Sequence, residues 1–258
     1  MKKLFTAVIA AVALALAAGS VDAKEWKKVR VGTEGAYPPF NEIDSAGNLV
    51  GFDIDITNAL CAKMKVECTI VAQDWDGIIP GLLAKKYDAI IASMTILPER
   101  MKVVDFTDKY YKTSAHFVKR KDTAIVDISR EGLKGLTLGA QKATTSSNYL
   151  EDVYARHATV KFYDTQPQAN LDLKAGRLDL VHADTLPMMD WLASEDGQCC
   201  ELVGPELTDP NWFGYGTGIA VRQEDDDLRE MINKAIAAIR EDGTYQKINA
   251  KYFPYSIY

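Results

Sequence analysis

Eight residues of this sequence carry chemistry that could converge on one small ligand: Glu34, Tyr37, Trp75, Ser93, Thr95, Arg100, Thr145 and Asp184. Arg100 supplies a planar guanidinium, whose fork pairs with a carboxylate or phosphate through two parallel hydrogen bonds. Glu34 and Asp184 supply carboxylates, and Ser93 and Thr95 supply hydroxyls. Tyr37 and Trp75 are flat rings able to flank a cation. Thr145, at the start of a predicted helix, offers a backbone N–H to an anion. One cation and two anions on the protein suit a ligand with one carboxylate and two cationic groups, and a basic L-amino acid is such a ligand. In that reading Arg100 and the Thr145 N–H take the α-carboxylate. Asp184, with Ser93 or Thr95, takes the α-ammonium. Glu34 meets the distal cation between Tyr37 and Trp75. Taken singly, each residue has a commoner fate. Asp184 could merely cap the helix at Thr185, Glu34 could be a solvated loop acid, the rings could be core or surface aromatics, and Arg100 a surface charge. The joint fit to one ligand carries the reading.

To meet, these groups must stand at strand ends. The stretch Asp88–Arg100, D-A-I-I-A-S-M-T-I-L-P-E-R, has the pattern. Its apolar run Ala89–Ala92 reads as a buried parallel strand. It stops on Ser93 and Thr95, and Pro98 suits a first helical position with Arg100 close behind. Open α/β sheets bind ligands at such carboxyl ends. The same alternation runs through the chain. A strand at Val29–Thr33 leads to the Glu34–Phe40 loop, and Asp53 is placed to cap a helix through about Met64. A strand at Cys68–Ala72 precedes a helix opening at Trp75 and ending at Lys85-Lys86. After Phe106 come strands at Leu136–Ala140, Val160–Tyr163 and Leu178–Ala183. Helices start at Thr144–Ser146, at the capping box Thr165-x-x-Gln168 and at Thr185. The Gly204–Gly218 stretch reads as loop. Two helices, about Asp226–Glu241 and Thr244–Tyr252, close the chain. Alternating strands and helices predict an α/β fold with parallel sheets.

The ends and composition narrow the class. Met1-Lys2-Lys3, an apolar run from Leu4 to Ala18 and the small residues around Val21-Asp22-Ala23 read as a secretory signal peptide, residues 1–23. Its removal takes the formal charge from −6 to −7, because Lys2, Lys3 and Asp22 leave with it. An acidic chain without a basic patch predicts no nucleic-acid partner. Roughly 235 residues remain, enough for one large domain or two small ones. Cys61 and Cys68 flank a short helix–strand junction, and an oxidising compartment favours a bridge between them. Adjacent Cys199 and Cys200 stay unassigned. His116, His157 and His182 lack ligand spacing, so no metal or other cofactor is expected.

The chain also echoes itself. Residues Leu82–Ser93 can be laid on Leu173–Asp184 with a constant offset of 91, matching Leu82/Leu173, Ala84/Ala175, Asp88/Asp179 and Ala92/Ala183. Each copy ends its strand on a polar residue, Ser93 or Asp184. Two similar βα lobes are implied, with ligand between them.

Several stretches together resemble the family 3 solute-binding proteins of bacterial polar amino acid ABC transporters, nearest the lysine/arginine/ornithine- and histidine-binding periplasmic proteins. They are G-T-E-G-A-Y-P-P-F, G-F-D-I-D, D-W-D-G-I-I-P-G-L, D-A-I-I-A-S-M-T-I-L-P-E-R, A-G-R-L-D and E-D-G-T-Y-Q-K-I-N-A-K-Y-F, spanning nearly the whole mature chain. The resemblance implies a two-lobe periplasmic-binding-protein fold of type II, each lobe a mostly parallel sheet flanked by helices, joined by two hinge strands. Lobe 1 would hold residues 24–111 and 217–258, and lobe 2 residues 112–216, with hinges near 112–116 and 208–216. It implies the Cys61–Cys68 disulfide, the carboxylate role of Arg100, the ammonium role of Asp184, the side-chain role of Glu34 and the stacking roles of Tyr37 and Trp75. It implies a monomeric periplasmic protein that presents a basic amino acid to an inner-membrane ABC permease, and no enzyme activity.

The chain departs from that pattern in three places. The acid in basic-amino-acid binders of the group is usually Asp, where this chain has Glu34. Trp75 stands where a smaller ring is common. The loop before the second lobe's first helix reads Q-K-A-T-T-S, with Lys142 and Ala143 in a segment that usually contains glycine. The E-G-A-Y and D-W-D-G wording also resembles opine-binding relatives, which tend to lack the aspartate found here as Asp184. An opine or glutamine binder is therefore the alternative ligand class. An exported dehydratase on the same fold is the alternative enzyme, although no G-x-S-x-G elbow or Ser/His pairing supports it.

Overall fold

The computed structural model describes residues 25–258; the predicted signal peptide, residues 1–23, lies outside them. Strand β1 (Lys28–Thr33) buries Val29 and Val31 on one face. A small antiparallel meander follows: β2 (Ala36–Tyr37), β3 (Asn41–Ile43) and β4 (Leu49–Val50). Helix α1 (Phe52–Met64) leads into β5 (Glu67–Ala72). One 3₁₀ turn at Trp75–Gly77 precedes α2 (Ile78–Leu83), and β6 (Ala89–Ile90) and β7 (Asp105–Phe106) follow. The chain then builds β8 (Ala115–Arg120), β9 (Thr137–Gln141), α3 (Thr145–Tyr154), β10 (Thr159–Tyr163), α4 (Gln166–Lys174), β11 (Leu180–Asp184), α5 (Thr185–Ala193) and β12 (Cys200–Leu207). A short turn of helix α6 (Pro210–Phe213) brings it back to β13 (Ala220–Val221), α7 (Asp226–Glu241) and α8 (Thr244–Tyr252).

Two five-stranded sheets result, ordered β5-β1-β6-β13-β7 and β10-β9-β11-β8-β12. In each, three strands run parallel and the next two pair antiparallel. Alternate residues feed opposite faces, as the pleat requires. In the first sheet Val29, Val31 and Ile91 pack with Ile56, Leu60, Ile232 and Ile236. Ile90 turns the other way, toward Ile78, Leu82 and Tyr87. In the second sheet Leu180 joins Phe117, Leu138 and Leu150, while Val181 and Ala183 join Val118, Leu173 and Met188.

The 91-residue echo is structural. Asp88 and Asp179 do the same job: each carboxylate accepts a backbone N–H from the neighbouring first strand, Arg30 N at 3.0 Å and Thr137 N at 2.8 Å. Each Asp N–H returns the bond to the same residue's carbonyl at 2.8 Å. Lys85 and Gly176 both turn left-handed just after their helices, with φ of 60° and 73°.

The chain passes between the sheets twice, through residues 107–114 and 208–219. The passages lie side by side, bridged by Tyr111 and Thr217. Ser114 in the first bonds Thr185 at 2.7 Å and also Glu206. Cys61 and Cys68 form a disulfide that ties the end of α1 to β5, with Cα atoms 6.1 Å apart. Cys199 and Cys200 are free thiols.

Three local expectations need correction. The cap of α1 is Gly51, with φ 123°, where a Cβ would strike the Phe40 carbonyl. Asp53 lies inside the first turn, fully buried. The helix expected after Pro98 is a single 3₁₀ turn, Arg100–Lys102. The stretch Gly204–Gly218 is not all loop. Its start continues β12, whose alternation is masked because only Cys200 and Val203 are buried and a register shift falls between Val203 and Leu207.

Candidate ligand-binding site

All eight residues singled out from the sequence line one cavity between the two sheets, together with Ala92, Gln141, Thr144, Ser146, Gln166 and Ala183. Strand ends place them. Glu34 follows β1, Ser93 follows β6, Gln141 ends β9 and Asp184 ends β11. The parallel strands of each sheet run toward this cleft, so their carboxyl ends deliver polar groups to it from both sides.

Asp184 occupies the cap position of α5 but makes no cap bond with its side chain. Its Oδ2 instead accepts from Tyr37 Oη at 2.9 Å, a contact between the lobes. Burial raises its pKa to about 6, against the opposing effects of the Tyr37 hydrogen bond and the Arg100 charge. Glu34 is 8 % exposed, so it is no solvated loop acid. Its Oε1 accepts from Gln141 Nε2 at 2.5 Å, again across the lobes. Burial lifts its pKa to about 7; the Gln141 bond works against the shift and the Asp74 charge adds to it.

Arg100 faces the Trp75 ring, its guanidinium carbon 5.3 Å from the ring centroid. One arm of the fork donates to the Thr95 carbonyl at 2.9 Å. Burial lowers its pKa to about 10, opposed by Asp184, so it stays charged at neutral pH. Ser93 takes a left-handed φ of 54° and donates its hydroxyl to Asp53 Oδ2 at 3.0 Å. Trp75 donates Nε1 to the Ala143 carbonyl at 2.9 Å, linking the lobes at the cleft edge.

Thr145 and Ser146 open α3 with their first-turn amides at the cavity. Thr144 caps the helix, accepting from Ser147 N at 3.1 Å. Ala143 adopts φ 58°, a conformation glycine takes more readily, so the loop reaches the cavity without that glycine. Lys142 bridges the cleft mouth, 2.8 Å from Asp76 of the first lobe and 2.6 Å from Asp164 of the second.

Sequence reasoning missed Gln141, the bridging role of Lys142, and Asp53. Gln141 ends a parallel strand and is the first residue of the Q-K-A-T-T-S loop already singled out, so strand-end position alone could have found it. Among the residues lining the cavity there is no histidine or cysteine. One guanidinium faces two carboxylates, so the lining carries a single net negative charge. That charge pattern is complementary to a zwitterion with an extra cation.

Comparison with known proteins is in keeping with this geometry. The family described as bacterial extracellular solute-binding proteins, family 3, matches residues 29–255. The chain is similar to the L-arginine-binding protein of Pseudomonas aeruginosa, 44% identical over 260 residues, covering 100% of this chain and 99% of that one. It is similar to the ABC transporter arginine-binding protein 1 of Escherichia coli K12, 43% identical over 254 residues, covering 98% and 100%. Among solved structures it resembles a Salmonella typhimurium periplasmic binding protein described for high arginine specificity. The TM-score is 0.81 at 35% identity, covering 88% of this chain and 99% of that one.

Proposed function

From the premise that this chain belongs to family 3 of the bacterial extracellular solute-binding proteins, we propose that it is the periplasmic binding component of an amino acid ABC importer, with a basic L-amino acid as ligand. L-arginine stands first among arginine, lysine, ornithine and histidine, because the two relatives compared above are named for it. The protein binds and releases; it is not an enzyme. The observation that carries the reading is the cleft lining: the guanidinium of Arg100, and the carboxylates of half-buried Asp184 and buried Glu34 for two cationic groups.

Arg100 and the first-turn amides of α3 take the α-carboxylate, Asp184 and Ser93 the α-ammonium, and Glu34 the distal cation, with Tyr37 and Trp75 beside the ligand's stem. Residues 24–111 with 217–258 act as one lobe and 112–216 as the other, turning about the two chain passages. The monomer closes on its ligand, and an inner-membrane permease reads the closed form. A neutral amide ligand has one observation in its favour: with a pKa of about 7, Glu34 can carry a proton and donate to an amide oxygen.

The test is a thermal-shift panel of L-arginine, L-lysine, L-ornithine, L-histidine, L-glutamine and octopine at one concentration. A ligand at a thousandfold excess over its Kd stabilises by about 4 kcal/mol. Large shifts with basic amino acids alone are expected. A shift with glutamine instead overturns the assignment of Glu34, a shift with octopine instead overturns that of Asp184, and no shift with any of them overturns the reading.

A further inference from the structure

Behind the cavity, and outside its lining, lies the Asp53 carboxylate, fully buried. Three uncharged donors converge on it: Asn41 Nδ2 at 2.8 Å and Ser93 Oγ at 3.0 Å, both on Oδ2, and Tyr110 Oη at 2.7 Å on Oδ1. An ionised carboxylate accepts only, so both hydroxyls must be the donors. A hydroxyl has one hydrogen. Ser93 spends its hydrogen on Asp53, and what it turns toward the cavity is lone pair alone. Tyr110 does the same, and its lone pair in turn accepts the Ser93 backbone N–H at 3.3 Å. Those bonds also hold Ser93 in its left-handed turn. Across the cleft Asp184 is another acceptor, its Oδ2 already filled by Tyr37.

We propose that Asp53 is a positioning residue for ligand selection: by taking the only hydrogen of Ser93 it makes that hydroxyl an obligate acceptor, so the cavity requires an N–H-rich amine at the ligand's α-position. The inference rests on the binding function proposed above. An ammonium brings three N–H donors, enough for Ser93 and Asp184 together. A ligand lacking the α-amine leaves both acceptors buried and unmatched.

The experiment measures calorimetric affinity for L-arginine and for its des-amino analogue, which keeps the guanidinium and carboxylate. The wild-type protein is expected to prefer L-arginine strongly. In Asp53→Asn the new amide can donate to Ser93 and free its hydrogen to rotate toward the cavity. Affinity for L-arginine is expected to fall about tenfold to a hundredfold, while that for the analogue stays unchanged, so discrimination collapses. Ser93→Ala is expected to lose discrimination likewise, and the double variant to be no worse than Ser93→Ala. Equal loss of both ligands in Asp53→Asn would leave only a structural role and overturn the inference. Ser93→Ala with wild-type discrimination overturns it too, whether or not Asp53→Asn folds. Wild-type protein that binds L-arginine while Asp53→Asn discriminates normally overturns this inference alone. Wild-type protein that binds no basic amino acid overturns the functional reading as well.

Discussion

Charge decides most at the scale of single residues. Arg100→Ala removes one partner of a desolvated pair and is expected to weaken basic-ligand binding by about 2–5 kcal/mol in calorimetry; less than a tenfold loss would place the carboxylate site elsewhere. Glu34→Gln is expected to lose basic ligands while sparing neutral ones. The same residue sets a pH dependence. A cationic ligand needs Glu34 ionised, so affinity is expected to fall as the pH drops below about 7, by up to about tenfold per unit. Stability without ligand moves the opposite way. Burial raises Glu34, Asp53 and Asp184 above their unfolded values, so the native state holds protons the unfolded chain has released. Their stabilisation is full in acid and is lost as the pH rises through about 6 to 7. Glu34→Gln is therefore expected to flatten that decline in a Tm profile, and an unchanged slope would refute the assignment. The residue types of the site were legible because guanidinium, carboxylate and aromatic groups at strand ends, each with a commoner fate alone, fit one ligand together. Asp53 was misread because an acid before an apolar helix has the look of a cap, and only tertiary structure places a tyrosine, a serine and an asparagine around it.

Elements were legible wherever period and cap agreed. The helix opened by Thr165 and the long C-terminal helix follow their sequence signals, the first through a capping box and the second through buried Leu228, Ile232, Ile236 and Ile239. The sequence was silent where partners decide. The two-residue strands β7 and β13 exist by pairing, β13 lying between β6 and β7, and Gly204-Pro205 hid the end of β12. Two predictions belong to this scale. Replacing Cys61 and Cys68 by alanine releases a short loop and is expected to cost about 2–3 kcal/mol in denaturant unfolding. Asp76→Asn breaks the contact that Lys142 makes to the first lobe. It is expected to weaken every ligand by the same small factor, an effect that fades in high salt. Selective loss of one ligand would mean that Lys142 reads the ligand rather than the cleft edge.

At the scale of the molecule, ligand is expected to bring the lobes together, read as a smaller radius of gyration in solution scattering with L-arginine than without. An unchanged radius across saturation would argue against hinge closure. The repeated unit has a further consequence. Asp88 and Asp179 anchor equivalent strands, and ninety-one residues separate equivalent positions across the Leu82–Ser93 and Leu173–Asp184 segments. The cleft is therefore nearly a pseudo-dyad, and two matched halves alone would offer a ligand the same face twice. An amino acid is not palindromic. The last position of the repeat, a hydroxyl at Ser93 in one half and a carboxylate at Asp184 in the other, breaks that symmetry at the place where the halves meet. This divergence, together with Arg100 and Glu34 standing in one half alone, gives the cleft a head and a tail, and with them a preferred direction in which a ligand can lie.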